Sequence, residues 1–193
     1  MEPALKLLTE SEYLLHERGD HDAKSEYVDG MVYAMAGASR AHQQLQRALV
    51  IALLPVVRRR GCDVLGPDMR LKPGARFYYP DVVAFCRDAT YLDDAFDTLL
   101  DATLVVEVLS KTTERVDRGE KFEAYRRLAS FREYLLVDAR RVQVEQYVLA
   151  EGVWQPPVIH GPGDTVVLTS FEGRLELDAI YDGVELERVP PPR

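Results

Sequence analysis

The spacing of apolar positions divides the chain into short segments whose period switches between that of a helix and that of a strand. From residue 39 to about residue 60, Leu45, Leu49, Ala52, Leu53 and Val56 recur three or four apart. That spacing predicts one long amphipathic helix, with Pro55 placed to kink or shorten it. Ahead of it, Thr9-Glu10-Ser11-Glu12 supplies a capping residue and early acids for a short helix that runs out at Arg18-Gly19-Asp20. Residues 24–28 and 31–35 flank Asp29-Gly30, the dipeptide of a two-residue turn, and so predict an antiparallel hairpin. Strand-like pieces follow at 62–65, 69–71 and 80–86, and the polar stretch 88–101 reads as connecting loop. Residues 103–109 are apolar and β-branched, whereas 113–129 have helical period with Phe122, Tyr125, Leu128 and Ala129 as the core-facing stripe. Two more strands are predicted at 131–138 and 142–149, then a strand near 166–169 and a short helix near 177–181. The order predicts an α/β fold, a mixed central sheet flanked by helices, with an N-terminal helix and β-hairpin. One domain is expected over 1–187, followed by a flexible Pro-rich tail at 188–193.

Composition narrows the setting. A chain of 193 residues, 47% hydrophobic, can bury one full core. The beginning lacks the basic start and apolar run of a signal peptide, and no stretch approaches the roughly 18 apolar residues of a membrane span. A soluble, cytoplasmic protein with no membrane partner is the expectation. Cys62 and Cys86 each lie in an apolar strand-like segment and read as small buried thiols, not as a disulfide or a metal site. With 32 acidic and 24 basic residues the net charge is −8, the opposite of the basic surface common in nucleic-acid binders. Basic residues still cluster at Arg58-Arg59-Arg60, Arg126-Arg127 and Arg140-Arg141, and a metal site would absorb part of the acidic excess.

Candidate chemistry begins with two acids. Asp81 opens the strand in YYPDVVAF, and Glu107 is the ionisable residue inside TLVVEVLS. A lone carboxylate in such a strand costs several kcal/mol to desolvate unless something pairs with it. If the two strands are neighbours, Asp81 and Glu107 bring oxygens to one point, as a hard cation such as Mg²⁺ requires. Lys121, at the edge of the following helix's buried face, is placed to reach back toward Glu107 and to orient or help deprotonate a water. Glu26, in the strand before the Asp-Gly turn, adds a third carboxylate. His42, in the first turn of the long helix, is a candidate contact to phosphate or to the outer shell of the metal. Asp117 lies four residues before Lys121 and reads as its partner in a surface pair. Phe77, Tyr78 and Tyr79 read as core packing, and Ser110 as a cap for the next helix.

The strings YPDVVAF, EVLS, DRGEKFEAY and REYLLVD, spread over roughly residues 9–149, resemble the bacterial family of restriction-endonuclease-like proteins. That family is similar in fold to the PD-(D/E)xK nucleases. The resemblance implies a core sheet with helices on both sides, dependence on Mg²⁺ or Mn²⁺, hydrolysis of DNA and a homodimer. Its motifs fall on Glu26, Asp81, Glu107 and Lys121. Two departures stand out: the lysine usually found two residues after the acid is replaced by Leu109, leaving Lys121 to act from the helix, and Lys111 stands where a proline is common. Lys111 is therefore a second candidate for the positive role. Two alternatives remain at this stage, a nuclease-fold binding or scaffold protein without turnover and a metal-independent hydrolase using two carboxylates on a sugar bond.

Overall fold

The computed structural model describes residues 7–20, 23–86 and 88–187, so the tail expected at 188–193 lies outside the described residues. Thr9 caps α1 (Glu10–Gly19), its hydroxyl accepting the Glu12 N–H while the Glu12 carboxylate accepts the Thr9 N–H. β1 (Ser25–Val28) and β2 (Met31–Ala34) form the hairpin. Asp29 and Gly30 take φ values of 50° and 93°, the left-handed pair that a two-residue hairpin turn needs. α2 (Arg40–Arg58) starts where the Ser39 hydroxyl accepts the His42 N–H. It runs past Pro55, because both Pro55 and Ile51 lie on its exposed side, where the carbonyl that loses its donor faces water. β3 (Cys62–Leu65), β4 (Arg70–Leu71), β5 (Val82–Cys86), β6 (Thr98–Leu99) and β7 (Leu104–Leu109) follow.

The helix predicted over 113–129 is interrupted. It consists of α3 (Glu114–Val116), a π-helical turn (Asp117–Lys121) and α4 (Phe122–Tyr125). Because α4 stops at Tyr125, Ala129 is exposed, and Ala124 takes its place beside Phe122, Tyr125 and Leu128 in the core. β8 (Glu133–Asp138), β9 (Val144–Ala150), β10 (Val153–Trp154), β11 (Val158–His160), β12 (Thr165–Leu168), β13 (Gly173–Glu176) and α5 (Leu177–Tyr181) complete the chain.

The main sheet runs β10-β9-β8-β7-β5-β3, with β11 on β9; β7 and β8 are parallel and the other pairs antiparallel. Alternation along β7 splits the core. Leu104, Val106 and Val108 pack with Leu45, Leu49 and Leu53 of α2, whereas Val105 and Leu109 pack with Phe122 and Tyr125 of α4. Glu107 has the parity of the second set and is 2% exposed. Phe77, Tyr78 and Tyr79 are buried, in keeping with their reading as packing. The cysteines correct the expectation of free thiols. Cys62 and Cys86 are directly opposed across β3 and β5 and form a disulfide, because antiparallel register sets their Cβ atoms side by side. Several of the clustered arginines are spent on structural ion pairs: Arg140 and Arg141 on Asp138, Arg126 on Glu123 and Arg60 on Glu172. Among the described residues no helix is long and apolar enough to cross a membrane.

Candidate active site

The β5–β7 register pairs Val82 with Val106, and one residue further along the ladder brings Asp81 opposite Glu107. The two carboxylates lock onto each other's strands. Asp81 Oδ2 accepts the Val108 N–H at 2.6 Å, and Glu107 Oε2 accepts the Asp81 N–H at 3.3 Å. α2 crosses this strand end with His42 and Gln46 four residues apart on one face. Gln46 Nε2 donates to Asp81 Oδ1 at 2.5 Å, and His42 Nε2 stands 3.2 Å from Asp81 Oδ2. His42 Nδ1 is buried with no hydrogen-bond partner among the described residues.

Lys121 reaches the same point from the other face of the sheet. Its Nζ lies 3.0 Å from Glu26, 3.4 Å from Glu107 and 3.5 Å from Asp117. Glu26 is held from behind by the Tyr79 N–H at 3.1 Å, and Tyr125 donates its hydroxyl to Glu107 Oε1 at 2.7 Å. The wider π turn stacks Asp117 and Lys121 on one face, and both are buried. Asp117 is therefore a member of the cluster and not half of a surface pair, which the helical spacing alone did not reveal. Ser110 is apart from this chemistry. Its hydroxyl accepts the Thr113 N–H and closes the turn into α3.

Three carboxylates, those of Glu26, Glu107 and Asp117, thus surround one ammonium, with Asp81 beside Glu107; Glu107, Asp117 and Lys121 are buried, whereas Glu26 and Asp81 are partly exposed. Burial raises the pKa of Glu107 well above the usual carboxylate range; Lys121 opposes that shift, and Asp117, Asp81 and Glu26 add to it. Burial also raises Asp117, again against Lys121. For Lys121 burial acts downward, but Glu107, Glu26 and Asp117 outweigh it and hold the ammonium well above its usual pKa. His42 behaves similarly, with burial lowering its pKa and the contact to Asp81 raising it more. Lys121 therefore keeps its proton and serves the surrounding acids as a hydrogen-bond donor.

The donors are hard oxygens and Asp117 Oδ1 has no hydrogen-bond partner among the described residues, features that suit a divalent cation. No three His, Cys, Asp or Glu side chains among the described residues stand in a ligating arrangement, and the ammonium of Lys121 lies between three of the acids. The cluster forms the floor of a cleft of about 1320 Å³, whose lining also includes Lys24, Arg47 and Lys111. All the residues singled out from sequence, namely Glu26, His42, Asp81, Glu107, Lys121 and Lys111, line this one cleft. Gln46 was missed, although the four-residue step from His42 is a signal the sequence carries, and Asp117 and Tyr125, read as a surface partner and as core packing, belong to the cluster as well.

Residues 11–179 match the Uma2 family, described as "Putative restriction endonuclease". Two uncharacterized proteins of Synechocystis sp. are similar to the chain. One is 33% identical over 144 residues, covering 74% of this chain and 81% of that protein. The other is 31% identical over 180 residues, covering 92% and 93%. The crystal structure of a "putative nuclease belonging to DUF820" from Anabaena variabilis superposes with a TM-score of 0.75 at 17% identity, over 91% of this chain and 98% of the other. At that identity the likeness speaks for the fold, a mixed sheet flanked by helices.

Proposed function

Since the chain belongs to the Uma2 family of restriction-endonuclease-like proteins, we propose that it is a Mg²⁺-dependent endonuclease that hydrolyses DNA phosphodiester bonds at the Asp81–Glu107–Lys121 cluster. The observation that carries this reading is the convergence of Glu26, Asp81, Glu107 and Asp117 on one point of the cleft, three of them on the single ammonium of Lys121. Asp81 and Glu107 would hold Mg²⁺ or Mn²⁺, which supplies neutralisation of the phosphate and a lowered pKa for water. Lys121, protonated at neutral pH, would donate a hydrogen bond that orients the attacking water or the phosphate oxygen. Glu26 and Asp117 fix that ammonium, Gln46 and His42 hold the Asp81 carboxylate, and Tyr125 holds Glu107. Water oxygen joins phosphorus and gives up a proton to solvent as the bond from phosphorus to the leaving sugar oxygen breaks, and that leaving oxygen takes up a proton from solvent in return.

A second reading, a nuclease-fold protein that binds nucleic acid without turnover, draws on the position of the ammonium between the acids, where it partly replaces a metal. Calorimetric titration with Mg²⁺ and Mn²⁺ of the wild type and of Glu107→Ala, followed by cleavage of supercoiled plasmid with and without EDTA, separates the two. The nuclease reading expects metal binding and nicking by the wild type and neither by Glu107→Ala. Absence of metal binding and cleavage in the wild type leaves the non-catalytic reading.

A further inference from the structure

The cleft has walls that hydrolysis of a phosphodiester does not by itself require. In the β1–β2 register Glu26 pairs with Tyr33, so both side chains stand on the same face of the hairpin. Glu26 belongs to the acid cluster, which places the half-exposed ring of Tyr33 beside it. Met35, two residues on, has the same parity and also lines the cleft. Across from them the stripe of α2 that carries His42 and Gln46 continues through Arg47 to Val50 and Ile51. Tyr33, Met35 and Ile51 are 49%, 37% and 65% exposed, an unusual concentration of open apolar surface around a charged floor. Arg47 and Lys111 line the same cleft from α2 and from the turn after β7, and neither forms an ion pair among the described residues.

Resting on the nuclease reading above, we propose that the cleft takes unpaired DNA, a single strand or the frayed or overhanging end of a duplex. In this arrangement Arg47 and Lys111 hold phosphates on either side of the carboxylates. Bases turned out of the stack lie against Tyr33 and the aliphatic wall of Met35, Val50 and Ile51. A paired duplex offers its backbone of phosphate and sugar to a surface at the cleaved bond, and an apolar wall gains nothing from that backbone. An unpaired base offers a π-face, and stacking on an aromatic ring tolerates any sequence. Charge points the same way. A chain of net charge −8 meets one phosphate per roughly 1.7 Å of axis along B-form DNA, and the lower charge density of a single strand is repelled less.

The test uses the full chain with fluorescein-labelled oligothymidylate and a blunt hairpin duplex of the same length, binding measured by anisotropy in Ca²⁺ and cleavage in Mg²⁺ or Mn²⁺. The single strand is expected to bind about ten-fold or more tightly than the duplex and to be cut in preference to it. Tyr33→Ala should lose about ten-fold in single-strand binding with an unchanged melting temperature, since its ring is half-exposed. Arg47→Ala should reduce the salt slope by about one. Equal or preferred binding and cutting of the duplex overturns the proposal while leaving the nuclease reading intact. Cleavage of neither substrate, with Tyr33-dependent binding of the single strand, retires the nuclease reading and keeps this one. If Tyr33→Ala alters the oligomeric state and leaves DNA binding untouched, the wall serves a second copy of the chain and the proposal fails.

Discussion

Replacing Lys121 with methionine keeps most of the side-chain volume and removes the ammonium from between Glu26, Glu107 and Asp117. At the observed separations of 3.0, 3.4 and 3.5 Å, each contact is worth about 5 kcal/mol at an effective permittivity of ~20. That gross attraction is not the expected loss. Desolvation of the ammonium is recovered, and the acids take up protons once their cation is gone, so the net cost should fall in the ~3–5 kcal/mol typical of a buried pair broken on one side. For a chain of this size that is a fall in melting temperature of roughly 6–20 °C. The sign of its pH dependence follows from Glu107 and Asp117, whose folded-state pKa values are already raised by burial and rise further without Lys121. The folded variant then binds more protons than its unfolded chain, and its stability declines as pH rises above about 4. Thermal melts of wild type and Lys121→Met across pH should show a small deficit in acid that grows up to about pH 10, above which it narrows as the lysine of the unfolded wild type loses its proton. A deficit below about 1 kcal/mol, or one that does not change with pH, would refute the picture of a buried, charge-dominated cluster.

Glu107→Gln removes a buried acid while Lys121 keeps Glu26 and Asp117, so this variant should melt above wild type at alkaline pH, with the gap closing in acid as Glu107 itself protonates. Tyr125→Phe removes the hydroxyl that Glu107 accepts and should cost about 1.5–3 kcal/mol, measured by denaturant unfolding; no change would mean that the carboxylate is solvated. Hydrogen bonds from Arg18 hold Asp97 below its usual pKa, so this contact stabilises the fold above the unfolded value near ~3.9 and is lost as pH falls through the folded one. Arg18→Ala should accordingly begin acid unfolding at higher pH than wild type, followed by circular dichroism.

Local pattern carried much of this structure. The capping box at Thr9 and Glu12, the Asp29-Gly30 turn and the apolar stripe of α2 depend on residues a few positions apart, so their energetics can be read along the chain. The isolation of Glu107 in an apolar strand likewise announced that a partner was needed. What the sequence could not supply was the order of the strands and the path of the helix at 113–129. The antiparallel β5–β7 register set Asp81 against Glu107, and the β3–β5 register joined two cysteines that composition suggested were free. A single π turn moved Asp117 from the surface into the cluster, and the placement of α2 brought Gln46 to Asp81. β6, β10 and β11 went unpredicted because strands of two or three residues carry too few alternating positions to declare a period, and β13 went unpredicted beside its partner β12. Contacts between distant segments depend on how whole sheets pack, and a carboxylate's burial, charge and partners are fixed only when that packing is complete.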